Sequence, residues 1–182
     1  MKNLTLITGG VRSGKSLLAE SLANESRLPV HFLATMPLRE DDLEQVRRIE
    51  KHRRRRPTAW HTIECGACLV AAVESLAPGP AIAILDCLAL AITNVMLQND
   101  GEQDPYATEA IVGKAVGEII GSIEKRPDIS FIVVSNETGW GVVPESALGR
   151  AFRDFLGAAN QEFAKVAERV YLVCAGLKLQ LK

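Results

Sequence analysis

The residue types and spacings most capable of chemistry come at the start of the chain. Gly9-Gly10-Val11-Arg12-Ser13-Gly14-Lys15-Ser16 places glycines ahead of a Gly-Lys-Ser triplet, the composition of a loop that cradles a polyphosphate. Gly9 and Gly14 allow dihedrals and close backbone approach that a Cβ would forbid, so successive N–H groups can point inward at phosphate oxygens. Lys15 is placed to reach the β- and γ-phosphates, and the Ser16 hydroxyl to ligate a Mg²⁺ that bridges them. A second centre is His52, set among Arg47, Arg48, Lys51, Arg53, Arg54, Arg55 and Arg56, the densest charge in the chain. Asp86 is a third. It ends the apolar run Ala81-Ile82-Ala83-Ile84-Leu85, where a carboxylate can hold the same Mg²⁺, or one of its waters, across from Ser16. The alternative at Asp86 is a helix N-cap.

These groups need elements to carry them. Leu4 to Thr8 is an apolar, β-branched run that breaks at the glycines, and Leu17 to Ala23 follows in helical pattern. The phosphate loop therefore stands between a buried strand and a helix whose positive end opens near Lys15. Val30 to Ala34 reads as a second strand, closed by Thr35-Met36-Pro37. Loops at the carboxyl ends of parallel strands line the ligand crevice, which sets Ala34, Thr35 and Met36 beside a nucleotide; a plain connector is the other reading. Trp60 to Glu64 is a short third strand, and Glu64 is either an acceptor for a ribose or base edge or a surface carboxylate. Ala67 to Leu76 is helical in pattern, and Ala77-Pro78-Gly79-Pro80 is a turn ahead of the Asp86 strand.

The second half continues the alternation. A helix is expected from Leu88 to Gln98 and another from Pro105 to Glu124, where Gly113, Gly117 and Gly121 suggest close packing on a neighbour. Ile129 to Ser135 is a buried strand that opens into Asn136-Glu137-Thr138-Gly139-Trp140-Gly141-Val142-Val143-Pro144-Glu145. That loop is read as binding surface or as a glycine turn holding a core tryptophan. A helix from Leu148 to Glu168 and a hairpin, Val170 to Ala175 and Leu177 to Leu181, complete the chain. The order implies an α/β fold: a mostly parallel sheet flanked by helices, with an antiparallel C-terminal edge.

The basic segment admits three readings. From Glu40 to Arg54 the pattern is helical, acidic at its start and basic at its end, with Leu43, Val46 and Ile49 at three-residue steps. Such steps drift around a helix, so His52 falls at the margin of the apolar face. One reading is a solvated, basic helix end that suits the macrodipole. A nucleic-acid patch is a weaker one, since aromatic interleaving and an overall basic balance are missing. The third is chemical: like-charge repulsion favours neutral, nucleophilic imidazole, while the arginines bind a triphosphate and stabilise developing charge.

Bulk properties bound the answer. A chain of 182 residues suits one domain spanning 1–182, burying about 70% of its unfolded surface. A net charge of -1, with 47% hydrophobic and 24% charged residues, argues against a surface built to grip nucleic acid or an acidic membrane. The phosphate loop follows directly on the N-terminus, and no apolar run is long enough to span a bilayer, so a cytoplasmic enzyme is expected. Cys87 and Cys174 are expected to be small buried hydrophobes. Cys65-Gly66-Ala67-Cys68 has metal or redox spacing, but neither a second pair nor a His doublet completes a zinc site.

Taken together, several stretches resemble the bifunctional adenosylcobinamide kinase/adenosylcobinamide-phosphate guanylyltransferases. They are Thr8 to Ser16, Arg48-Ile49 with His52 and Arg56-Pro57, Trp60 with Glu64-Cys65, Thr93-Asn94, Asn136-Glu137 with Gly139, Gly141 and Val143-Pro144-Glu145, and Phe152-Arg153-Asp154. The resemblance implies a RecA-like P-loop NTPase fold and a homotrimer. It further implies that His52 attacks the α-phosphorus of GTP and carries GMP as a phosphoramidate, that GMP passes to adenosylcobinamide phosphate, and that adenosylcobinamide is first phosphorylated from ATP or GTP. Nucleotide contacts implied in the same way extend over Gly9 to Ser16, Ala34 to Met36, Arg53 to Arg56, Glu64 and Asp86. Lys51 stands where some members carry a second histidine, and Asp86 where some carry Glu. The competing readings are a nucleotide-dependent switch or ATPase, or a kinase of another small molecule, with a basic helix that binds a partner.

Overall fold

The protein is described by a computed structural model covering residues 1, 3–36, 46–47, 49–50, 53–54, 56–66, 68–99 and 103–182. Its elements run β1 (Leu4–Gly9), α1 (Lys15–Glu25), β2 (Val30–Ala34), β3 (His61–Glu64), α2 (Leu69–Glu74), β4 (Ala81–Asp86), α3 (Leu88–Gln98), a 3₁₀ turn (Pro105–Thr108), α4 (Glu109–Glu124), β5 (Ile129–Val134), α5 (Ala147–Val166), β6 (Arg169–Cys174) and β7 (Leu177–Gln180). Between β2 and β3, Val46, Arg47, Ile49, Glu50, Arg53 and Arg54 are helical. The first part of the helix expected from Glu40 lies outside the described residues, as do His52 and Arg55.

The seven strands form one sheet in the order β3-β2-β4-β5-β1-β6-β7. Every pairing is parallel except β6 with β7. Parallel strands covered on both faces are apolar along their length, and β1, β4 and β5 are buried almost throughout. Right-handed crossovers place α1 on one face, because the β1–β2 connection moves leftward along the order as written, and α2 to α5 on the other. Accordingly α1 rests on β1, β4 and β5, while α2, α3, α4 and α5 pack on one another.

The order has one consequence for the site. A single strand, β5, separates β1, which feeds the phosphate loop, from β4, which ends in Asp86. At the far edge, β6 and β7 are joined by Ala175 and Gly176, both with positive φ, the conformation a tight two-residue hairpin needs.

Two expectations are corrected, at Pro105 and at Cys174. Pro105 opens a 3₁₀ turn capped by the Asp104 carboxylate, which accepts from the Ala107 N–H at 3.3 Å, and the α-helix begins only at Glu109. Gly113, Gly117 and Gly121 do not pack closely within the chain: a Cβ added at any of them meets nothing within 4 Å. The buried face of α4 is Val112, Val116, Ile119 and Ile123. Cys87 is buried as expected, but Cys174 is exposed, because it closes β6 at the edge hairpin, beyond the cover of the helices.

Candidate nucleotide and phosphoryl-transfer site

The phosphate loop is fixed by contacts from distant parts of the chain. At Gly9, φ is 149°, and a Cβ there would lie 2.2 Å from the Val173 carbonyl oxygen and 3.0 Å from Ser13 Oγ. Gly14 precedes α1 with φ 105°, and its Cβ would lie 3.3 Å from Gly176 Cα. Only glycine meets both demands. The Gly176 N–H donates to the Ser13 carbonyl at 2.8 Å, and the Glu137 N–H to the Gly9 carbonyl at 2.9 Å. The β6–β7 turn and the segment after β5 thus clamp the loop from two sides.

Within the loop, Lys15 is buried and its Nζ donates to the Gly10 carbonyl at 2.7 Å. Burial lowers its pKa, and the negative charges available at Cys87 and Asp86 oppose the shift. An ammonium folded onto a loop carbonyl can exchange that acceptor for a phosphate oxygen. Among the described residues, Thr8 Oγ1 and Ser13 Oγ are buried without a hydrogen-bond partner, an unusual state for hydroxyls in a finished interior. Val11 and Arg12 are exposed at the crest of the loop, Arg12 with positive φ.

Beside the loop, the register of the sheet builds a second feature. Ala34 is the Cα partner of Glu64 on one side and of Asp86 on the other. In-register neighbours on parallel strands share a face, so two carboxylates flank one methyl group, and the small residue leaves a hollow between them. That hollow is a cavity of ≈ 190 Å³ lined by Ala34, Met36, Ile49, Arg56, Glu64, Asp86, Cys87 and Leu90. Five residues expected at the nucleotide, Ala34, Met36, Arg56, Glu64 and Asp86, therefore meet in one place.

Arg56 is the most informative of them. Its guanidinium carbon sits 3.4 Å from the centroid of the Phe32 ring, and Trp60 stacks on that ring at 6.5 Å. Among the described residues, Nε and one terminal nitrogen are buried with no hydrogen-bond partner. Burial lowers the pKa of Arg56, while Asp86, Glu64 and Glu20 raise it. Phe32 and Ala34 lie two residues apart in β2 and so share a face. An aromatic shelf thus carries the arginine toward the hollow, where an anion or a carbonyl would complete its hydrogen bonds.

The remaining expected residues divide. Arg53 pairs with Glu64 at 2.7 Å and so borders the cavity. Arg54 is turned to solvent beside Glu50 at 3.6 Å. Thr35 is fully buried and acts through the backbone: its hydroxyl donates to the Cys87 carbonyl at 2.8 Å and accepts from the Cys87 N–H at 2.7 Å. Asn94 then donates to the Thr35 carbonyl at 2.9 Å. These bonds fix the residue that follows Asp86, whose peptide bond to Cys87 is cis. Cys87 itself is buried, which pushes its thiol up to about 12. Cys65 is buried and Cys68 exposed, both as free thiols; the Cys65 thiol donates to the Ala34 carbonyl at 3.1 Å, and burial pushes it up to about 11.

Sequence reasoning missed Phe32 as the shelf for Arg56, Cys87 and Leu90 as lining, and the turn that presses on Gly9 and Gly14. Only the last left a local signal, the Ala175-Gly176 pair between two strand-like runs.

Among the described residues no cluster of three or more His, Cys, Asp or Glu could hold a metal unaided. The Ser16 hydroxyl and the Asp86 carboxylate are nonetheless hard oxygen donors, and Asp86 is near enough to Lys15 to influence its charge. Two such donors suit a Mg²⁺ that takes its other ligands from phosphates and water.

A family profile described as cobinamide kinase / cobinamide phosphate guanyltransferase matches residues 5–181. The chain belongs to this family. The cobinamide kinase family includes a bifunctional adenosylcobalamin biosynthesis protein CobP of Pseudomonas aeruginosa, to which the chain is 43% identical over 177 residues, 97% of this chain and 96% of the relative. It also includes the corresponding CobU of Escherichia coli, 35% identical over 184 residues, 98% and 99% of the two chains. Among solved structures, the RadB recombinase superposes with a TM-score of 0.51 at 14% identity, over 93% of this chain and 73% of that one. That likeness shows that the family member in hand has the RecA-like P-loop NTPase fold.

Proposed function

We propose that a single domain, residues 1–182, phosphorylates adenosylcobinamide from ATP or GTP and then transfers GMP from GTP to adenosylcobinamide phosphate, giving adenosylcobinamide-GDP. The observation that carries this reading is the meeting of Arg56, Glu64, Asp86 and Met36 in one cavity beside a preformed phosphate loop. A loop alone suits any nucleotide enzyme. The added cavity, with an arginine whose nitrogens await an acceptor, suits a second phosphate-bearing or base-bearing group.

In the kinase step the acceptor hydroxyl oxygen bonds the γ-phosphorus, the bond to the β-phosphate oxygen breaks so that the nucleoside diphosphate leaves, and the hydroxyl proton passes to water. Backbone N–H groups of residues 10–16 and the Lys15 ammonium, released from the Gly10 carbonyl, bind the phosphates and the charge that develops. In the transferase step an imidazole nitrogen of His52 bonds the α-phosphorus and pyrophosphate leaves; a phosphate oxygen of the acceptor then displaces His52. Arg53, Arg55 and Arg56 bind phosphate, and Glu64 accepts from ribose or base. A Mg²⁺ held by Ser16 and Asp86 would neutralise phosphate charge. The roles of His52 and Arg55 rest on the family resemblance. By that resemblance the enzyme is a homotrimer.

GTP labelled at the α-phosphate tests the reading. The protein should retain label through denaturation, lose it in acid, and fail to acquire it in His52→Ala. Label arriving only from the γ-position, or none, would sink the transferase and leave a kinase or a switch.

A further inference from the structure

We propose that residues 138–143, with Trp140 at the tip, form the platform on which the corrin ring of the acceptor docks. This rests on the functional reading above and assigns a place to its bulkiest substrate.

The argument begins with position. β5 lies between the strand of the phosphate loop and the strand of Asp86, so the segment leaving β5 projects between the two halves of the phosphate site. Both ends of that segment are anchored. The Glu137 N–H donates to the Gly9 carbonyl at 2.9 Å, and Asn160 donates to the Asn136 carbonyl at 3.0 Å. At the other end Arg150 donates to the Pro144 and Glu145 carbonyls at 3.0 and 2.6 Å. Between the anchors the Glu137 carboxylate accepts from the Gly139 N–H at 2.8 Å, which shapes the turn.

What this framed tip presents is apolar. Trp140 is 76% exposed, Val142 94% and Val143 58%, and Gly139 and Gly141 on either side of the indole offer no side chain to cover it. Val11 stands exposed on the crest of the phosphate loop at the same end of the sheet. Three neighbouring apolar side chains held out in water by an anchored loop call for a ligand. An indole supplies a broad, flat, amphipathic surface at little entropic cost.

The ligand follows from size and chemistry. A corrin is a wide macrocycle with apolar faces and an amide-bearing rim, far larger than the ≈ 190 Å³ hollow between Glu64 and Asp86. It must therefore rest outside that cavity while the hydroxyl on its side arm reaches the phosphate at Lys15. An apolar shelf rooted by hydrogen bond in the phosphate loop meets that requirement, and a polar wall would not.

The test compares Trp140→Ala and Trp140→Phe in the full chain, with cobinamide as the probe. Equilibrium dialysis, read by the corrinoid's own absorbance, should show Trp140→Ala binding about ten-fold more weakly than wild type and Trp140→Phe within about three-fold. The KM for cobinamide should follow the dissociation constant while kcat at saturation holds, and thermal unfolding midpoints should coincide. Trp140→Ala binding within two-fold of wild type overturns the platform. So does an equal loss in both variants with a lowered midpoint, the signature of a merely structural tryptophan. These failures leave the functional reading intact if wild-type protein still takes label from GTP and phosphorylates cobinamide. If wild type does neither, that reading falls and the platform falls with it.

Discussion

Arg56 and Arg126 occupy opposite ends of the sheet and opposite electrostatic conditions. Arg126, just before β5, uses all five of its donors: to the carbonyls of Val73, Leu76 and Ala77 and to both oxygens of Asp128. It ties the end of α2 to the start of β5, and its pKa is raised by the Asp128 hydrogen bonds. Arg56, near the carboxyl ends of β2, β3 and β4, lies half-buried over Phe32 with two donor nitrogens unmatched among the described residues, and burial lowers its pKa. One arginine has every donor matched within the protein; the other keeps two donor nitrogens unmatched among the described residues.

The largest expected effect breaks the functional side of this contrast. Arg56→Ala should lower kcat/KM for the GTP-dependent transfer by about 10²- to 10³-fold, the cost of removing one preorganised donor from a charge-developing site. Its unfolding free energy should change by less than about 1 kcal/mol, because a buried guanidinium with unmatched donors contributes little to the unliganded fold. Steady-state rates and urea denaturation of the same preparation check both halves. Arg126→Ala should do the reverse. Leaving the carbonyls of Val73, Leu76 and Ala77 without their charged donor should lower stability by about 3 kcal/mol in urea titrations, with KM for nucleotide within about two-fold of wild type. Equal losses of activity and stability in both variants would erase the distinction.

The contrast was only half legible in the sequence. Strand and helix identities were, because buried parallel strands such as Ala81–Asp86 and Val30–Ala34 are continuous apolar runs bounded by turn residues. The phosphate loop was legible too, since its glycines answer a local steric demand. Orientation was not. Nothing along the chain says that Arg56 lies on Phe32, because the tertiary path of the segment decides it, whereas Glu50 and Arg54, four residues apart in a helical pattern, face each other as their spacing requires. Nor could composition reveal that Thr35, in a loop expected to touch nucleotide, has its hydroxyl engaged by the Cys87 backbone.

Thr35 sharpens the comparison from between the two ends. Thr35→Val keeps the volume but leaves the buried Cys87 N–H without an acceptor, at a cost of about 2 kcal/mol. Because Cys87 follows Asp86, nucleotide KM should rise as well, by about three- to ten-fold. Loss of stability with unaltered KM would mean that the Asp86 carboxylate is positioned by the sheet alone.

The smallest effect belongs to the structural end and is read in acid. The hydrogen bonds from Arg126 and the Gly79 N–H hold the Asp128 carboxyl well below its ordinary value of 3.8. A group whose folded pKa is depressed binds protons more readily when unfolded, so its contribution is complete above that ordinary value and is lost as pH falls toward the folded one. The unfolding midpoint of the wild type should therefore fall more steeply below pH about 4 than that of Asp128→Asn, which has no proton to take up there. Arg126→Ala should flatten the curve in the same way, since it removes the main cause of the shift. Parallel acid limbs in all three proteins would show that the Arg126–Asp128 pair is too exposed to contribute, leaving the three carbonyl bonds as the whole of the clamp.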